Sequence, residues 1–150
     1  MSINLVTPTD GEVLDMRISR TRILEDGSRT NGRLGVAEIW LAAGFAGPPQ
    51  HVHRQHEETF FVLSGTIDFT SGTDTTRVHP GSLVTAPIGV PHTFANPDKD
   101  QDASFLFTST PDLYIGYFRD LAKLASRTGG LNPDDMLEIM SRYATEPYRP

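Results

Sequence analysis

Cysteine is missing from all 150 residues. Disulfides, thiolate metal ligands and a cysteine nucleophile are therefore excluded, and any metal chemistry must rest on nitrogen and oxygen donors. Basic residues are also scarce: 13 Lys and Arg stand against 19 Asp and Glu, for a formal net charge of -6 with no basic cluster. That balance, without a helix-turn-helix pattern, argues against a nucleic-acid partner. No apolar run approaches membrane-spanning length, and the start MSINLVTPTDGEV has no basic segment leading into an apolar core. The expected setting is cytoplasmic, with no membrane partner. Tryptophan occurs once, at Trp40. The length fits one domain large enough to bury a core.

The histidines are few but grouped. His51 and His53 are two apart, and residues i and i+2 of an extended segment project from the same face, so both imidazoles can reach one point. Glu58 opens the strand-like run ETFFVLS, and His92 follows Val90-Pro91 in a second such segment. Three imidazoles and one carboxylate make a donor set that suits Fe, Mn, Co, Ni, Cu or Zn, one divalent ion per chain. Four protein ligands would leave open positions on an octahedral ion, where chemistry can happen. His56 and Glu57 lie beside these residues; strand parity favours Glu58 over Glu57, because Glu58 shares a face with Phe60 and Val62. His56 is expected at solvent or at a pocket rim, and His79, before Pro80-Gly81, at the surface.

Turn formers frame these positions. Gly65, Gly81 and Gly89 fall where the chain must turn, and Pro87 and Pro91 bracket the approach to His92. The stretch resembles the two motifs of the cupin superfamily, G(x)5HxH(x)3-4E(x)6G and G(x)5PxG(x)2H(x)3N. His51, His53, Glu58 and Gly65 fit the first, with four residues between His53 and Glu58; Gly81, Pro87, Gly89, His92 and Asn96 fit the second at every position. The fifteen residues between Gly65 and Gly81 match the short spacing of small bacterial cupins. One departure is visible: the opening glycine would fall at Phe45, and glycines stand instead at Gly44 and Gly47.

The resemblance implies His51, His53, Glu58 and His92 as metal ligands and an all-β fold, a double-stranded β-helix or jelly-roll barrel with a C-terminal two-helix tail. Residues 1–150 then form a single domain: an N-terminal strand arm over 1–32, which in cupins often pairs with a partner subunit, the barrel over about 33–109, and helices over 110–145. Within the barrel, LGVAEIWLA is a strand with Val36, Glu38 and Trp40 on one face and Ala37, Ile39 and Leu41 on the other. Ser71-Gly72-Thr73-Asp74 reads as a hairpin turn, and Phe105 and Phe107 share a face of the last strand. After Thr108, Thr110-Pro111-Asp112 reads as a helix start, with Leu113, Tyr114, Tyr117, Leu121 and Leu124 on its apolar face and Gly129-Gly130 ending it; Asn132-Pro133-Asp134-Asp135 starts a second helix. The phrase GYFRDLAKLA is similar to the tail of some bacterial cupins that resemble quercetin dioxygenase.

Trp40, His56, Glu57, Phe60, Val62, Phe94 and Phe105 are the expected pocket residues. Three classes of function fit. The first is a metal-dependent dioxygenase acting on a small enol, diketone or flavonoid-like aromatic substrate, with Glu58, or Glu57 if it reaches the pocket, as the catalytic base. The second is a non-oxidative isomerase, lyase or polyketide cyclase using the metal as Lewis acid. The third is a non-catalytic module that binds a small ligand. A homodimer is the expected assembly.

Overall fold

The computed structural model describes residues 2–150. Eleven strands and two helices follow one another, and the strands arrange in two layers. The first layer is a six-stranded sheet in the order β1-β2-β3-β10-β5-β8, with β1 at Glu12–Asp15, β2 at Ser19–Asp26, β3 at Gly35–Leu41, β10 at Ala103–Thr110, β5 at Glu57–Ser64 and β8 at Leu83–Ala86. The second contains β7 (Asp74–Val78), β6 (Ile67–Ser71) and β9 (Thr93–Ala95), and beside them β11 (Thr145–Pro147) paired with β4 (His51–His53). A bridge between His51 and His92 joins these two groups, each residue's N–H donating to the other's carbonyl at 3.1 and 2.9 Å.

Side-chain alternation writes the barrel interior. In β3 every second residue is buried, placing Gly35, Ala37, Ile39 and Leu41 inside and Val36, Glu38 and Trp40 outside. β10 lies between β3 and β5, and its antiparallel register stacks inward rows: Ile39 beside Phe105 and Val62, Ala37 beside Phe107 and Phe60, and Gly35 beside Ser109 and Glu58. Phe60 is the centre of the core, with the rings of Phe69, Phe94, Phe105 and Phe107 between 5.2 and 5.8 Å away in tilted or edge-on contact. The hairpin between β6 and β7 turns at Gly72-Thr73, as the sequence indicates.

The N-terminal arm joins the chain's own sheet: β1 pairs with β2 and β2 with β3. Two expectations change. The first helix, α1, spans Ile115–Thr128, because β10 stays paired through Thr110 opposite Glu57; Asp112 then accepts the backbone N–H groups of Tyr114 and Ile115 at 3.4 and 3.2 Å. Leu113 consequently precedes the helix and is exposed, while Tyr117, Phe118 and Leu121 face inward. The second helix, α2, spans Pro133–Ser141 and begins with the full capping box of Asn132 and Asp135. Beyond it the chain re-enters the barrel as β11, a segment of three residues ending in proline with no periodicity to announce it.

α1 packs against β1, β2 and β3, and α2 against β11 and α1. Arg119 of α1 ties the helix to the sheet through Glu12 and Asp26, at 2.8 and 2.9 Å. No helix among the described residues is long and apolar enough to cross a membrane.

Candidate metal centre

β4, β5 and the turn before β9 converge at one end of the barrel. His51 and His53 come from β4, Glu58 from the second residue of β5, and His92 from the bridge to His51. All four are buried, and one donor atom from each lies within 4.8 Å of the others. The loop that delivers His51 is fixed by close approach: Gly47 has φ +84°, and a Cβ there would run into the carbonyl oxygen of Phe94. Asn96 anchors the far side, donating from Nδ2 to the carbonyls of Ala42 and Gln101 at 3.1 and 2.8 Å.

Hydrogen bonds fix how the rings point. His51 Nδ1 donates to the carbonyl of Pro49 at 2.8 Å and His92 Nδ1 to that of Val90 at 3.1 Å. The Thr145 hydroxyl donates to the Tyr143 carbonyl at 3.0 Å, so its lone pair receives His53 Nδ1–H at 2.7 Å. Each Nδ1 thus carries the proton, and each Nε2 offers a lone pair to the common centre, the tautomer a metal ligand requires. His53 Nε2 is buried, has no hydrogen-bond partner and lies 3.1 Å from Glu58 Oε1, lone pair against lone pair. A cation between the two atoms would relieve that contact, and the cluster could hold a divalent transition ion.

Electrostatics agree with that fit. Burial, with His92 and His53 nearby, pushes His51 down to about 3, and burial likewise lowers His53, so both are neutral at physiological pH. Burial pushes the Glu58 carboxyl up, but His53, His56 and His92 outweigh it and hold the group well below the usual range. Burial also opposes charge on His92, yet Glu58 Oε2 at 3.2 Å outweighs it and raises that ring. The site thus combines an ionised Glu58 with neutral His51 and His53.

The neighbours differ from expectation in four respects. His56 is fully buried, not at a rim: its Nε2–H donates to Glu58 Oε1 at 3.1 Å, and its ring lies 4.1 Å from that of His53. Glu57 is exposed on the outer face, one residue out of phase with Glu58, and has no place in the site. Trp40 is likewise on the outer face of β3, under the Arg20 guanidinium at 4.4 Å, and does not line the interior. Phe105 and Val62 are buried in the closed core, Phe105 against Phe60 and Phe94 at 5.4 and 5.1 Å.

Phe60 and Phe94 do line a cavity, which begins at His51 and Glu58 and runs out beneath the helices. Its outer walls include Met16 and Ile18 of the β1–β2 turn, Leu131 between the helices, and Met136 and Met140 of α2. The lining contains no Lys or Arg. Residues that sequence reading did not place here are Thr21, Tyr114 and Tyr117; Tyr114 and Tyr117 read only as one helix face. Burial, with Tyr117 and Glu58 beside it, holds the Tyr114 phenol well above its ordinary range, and burial pushes Tyr117 upward as well.

Comparison with known proteins agrees with this architecture. Residues 38–109 match the family described as a cupin domain. A curated relative, an uncharacterised protein of Streptomyces coelicolor, is 39% identical over 59 residues, which is 39% of this chain and 55% of that protein; the match thus spans little more than half of the relative's length. Among solved structures, an RmlC-like cupin from Shewanella frigidimarina superposes with a TM-score of 0.62 at 21% identity, over 73% of this chain and 92% of the other. The polyketide cyclase RemF from Streptomyces resistomycificus gives 0.63 at 24% identity, over 73% and 80%. KdgF from Halomonas sp. gives 0.61 at 16%, over 72% and 94%. At these identities the likeness is one of fold.

Proposed function

Since this chain is a small member of the cupin superfamily, we propose that it is a metal-dependent enzyme, a dioxygenase acting on a small enol, a diketone or a flavonoid-like aromatic. The observation that carries this reading is the junction of two unlike surfaces. Three imidazoles and one carboxylate, from His51, His53, His92 and Glu58, form the buried cluster, and two of them, His51 and Glu58, line a cavity whose other walls are largely apolar and free of Lys and Arg. Sugar phosphates and other multiply charged anions find no cationic side chain along its walls, whereas a planar apolar compound with an acidic enol proton suits both ends.

One divalent ion per chain would be held by those four residues and would supply Lewis acidity, and a redox-active ion would in addition supply a route for O2. The remaining work belongs to the protein. Glu58, kept ionised in a dry site and oriented by the His56 Nε2–H, takes the acidic proton of the substrate. Phe60, Phe94 and Phe107 hold the rings and keep water away from the carbanion equivalent. A Lewis-acid reading, isomerase, lyase or polyketide cyclase, uses the same base and the same walls. Its specific support is the barrel shared with the RemF cyclase.

Elemental analysis of protein purified without a metal-affinity tag, followed by oxygen uptake against 1,3-diketones and flavonols, tests the proposal. Iron, nickel, copper or manganese near one per chain with substrate-dependent oxygen consumption is the expected result. Zinc with no oxygen uptake moves the assignment to the Lewis-acid class, and absence of any bound metal overturns both. A homodimer belongs to the same proposal. Its support is the outer face of the six-stranded sheet, where Leu106, Phe61 and Leu83 are cross-strand neighbours and Phe61 and Leu83 are exposed. Light scattering on the wild type and on Leu83→Glu tests it, the variant being expected to run as a monomer.

A further inference from the structure

Two residues that line the cavity carry buried hydroxyls without a partner. Tyr114, at the N-terminus of α1, is 3% exposed, and its Oη makes no hydrogen bond although the Thr145 and Tyr117 side chains are close by. Its ring is pinned between His53, edge-on at 4.6 Å, and Tyr117, stacked at 4.4 Å. Thr21, on the inner face of β2, is fully buried, and its Oγ1 is equally unpartnered. Both residues line the same cavity as Glu58 and His51. Elsewhere the fold satisfies buried hydroxyls carefully: Thr145 bonds His53 and Tyr143, Ser104 bonds Ser64, and Ser109 bonds Asp112. A buried hydroxyl without a partner is costly, and phenylalanine or valine would fill either position without that cost.

We propose that Tyr114 Oη and Thr21 Oγ1 are substrate-binding groups: Tyr114 donates a hydrogen bond to the ligand oxygen at the histidine–Glu58 end, and Thr21 bonds a second oxygen farther along the wall. The ligand class is thereby narrowed to apolar ring compounds that carry oxygen functions at two separated positions. A site built to bond two oxygens discriminates strongly against analogues that lack one, because the protein hydroxyl is then left buried and unpaired. This inference rests on the reading of the cavity as the substrate site, and it assigns specificity within it.

The test uses binding without turnover. Zinc-loaded wild type, Tyr114→Phe and Thr21→Val are titrated anaerobically, by fluorescence, with flavone, 3-hydroxyflavone and the tighter-binding of 3,7- and 3,4′-dihydroxyflavone; melting temperature and zinc content are recorded for each variant. Wild type is expected to bind 3-hydroxyflavone more tightly than flavone and the dihydroxy compound more tightly still. Tyr114→Phe should weaken 3-hydroxyflavone about tenfold, the value of a hydrogen bond to an ionised oxygen, and leave flavone nearly unchanged. Thr21→Val should abolish the gain from the second hydroxyl alone. Both variants should melt at or above the wild-type temperature and keep full zinc, since neither removes a made hydrogen bond. Unchanged affinities in both variants overturn the inference and leave the cavity reading standing. A lower melting temperature with unchanged affinity makes the hydroxyls structural, and loss of zinc in Tyr114→Phe makes the phenol a metal ligand; each result overturns the inference. If wild type binds none of the flavones, the cavity reading fails and the inference falls with it.

Discussion

Thr145 is the most revealing residue to perturb, because it lies on β11, far from the motifs in sequence, yet it alone sets the tautomer of His53. Thr145→Val keeps the shape and removes the acceptor. His53 Nδ1–H is then buried without a partner, at a cost of about 1–3 kcal/mol. The cost must appear in one of two places. If the ring stays where it is, the apo protein loses stability by about 2–4 °C in melting temperature per kcal/mol for a domain of this size. If the ring turns or takes the other tautomer, the Nε2 lone pair is lost from the centre and metal affinity falls by about 10- to 100-fold, as when the hydrogen-bond partner of a metal-ligating histidine is removed. Competition between the protein and a fluorescent zinc chelator measures the second quantity, and thermal melting of the apo protein the first. Thr145→Ser retains Oγ and should restore most of both. A Thr145→Val protein with wild-type zinc affinity and wild-type melting temperature would refute the assignment of the His53 tautomer and with it the reasoning for the centre.

Other consequences are checked more directly. His53→Ala removes a ligand while leaving the aromatic core intact, so metal content should drop steeply with the far-ultraviolet circular dichroism of the barrel unchanged; full occupancy would remove His53 from the ligand set. Phe60→Ala deletes the ring that four other phenylalanines touch, and a loss of about 3–5 kcal/mol in urea unfolding is expected; a loss below about 1 kcal/mol would mean that the core is not organised around it. Asp26 is held down to about 2 by hydrogen bonds from Ser28 and from Arg119. Its folded pKa lies below its unfolded value of about 3.9, so its contribution is complete above about pH 4 and disappears as pH falls through about 2. Because the pair with Arg119 is partly exposed, the effect is within about 1 kcal/mol. Asp26→Asn should therefore melt slightly below wild type at pH 7 and together with it near pH 2, whereas a difference independent of pH would disprove the linkage.

Much of the barrel was legible because its signals are periodic. Alternation in LGVAEIWLA separates Ala37, Ile39 and Leu41 from Trp40 without any tertiary information, and the same parity separates Glu58 from Glu57. What failed were judgements about residues between periodic segments. His56 precedes β5 by one residue, in a turn where parity does not apply, and only the packing of His53 and Tyr114 around it explains its burial. Trp40 is a different case: strand parity already sets it opposite Ala37, Ile39 and Leu41, only its size argued for the pocket, and Arg20 across the β2–β3 pair covers its ring. Thr21 and Thr145 were invisible for another reason: a threonine in a strand reads as β propensity, and its role depends on what lies opposite it in space.

The C-terminal tail is tied to the metal centre more closely than a cap on a sheet would need to be. It supplies Thr145 to orient His53, Tyr114 to wall the cavity beside Glu58, and Met136 and Met140 to close the outer end. Anything that binds between the three Nε2 atoms and Glu58 engages His53, and through His53 it engages β11; since β11 follows α2 directly, the packing of α2 on α1 is engaged in turn. An ion bound only by the folded site stabilises the fold by RT ln(1 + [L]/Kd), about 2.7 kcal/mol at a hundredfold excess over Kd. The tail is held by β11, by the salt bridges of Arg119 and of Arg54 with Glu146, and by the buried apolar faces of both helices, and its link to the centre runs through Thr145 and His53. Hydrogen exchange of α1 and α2 amides should therefore slow on metal addition more than exchange in the edge strand β7, whose pairing is to β6 alone.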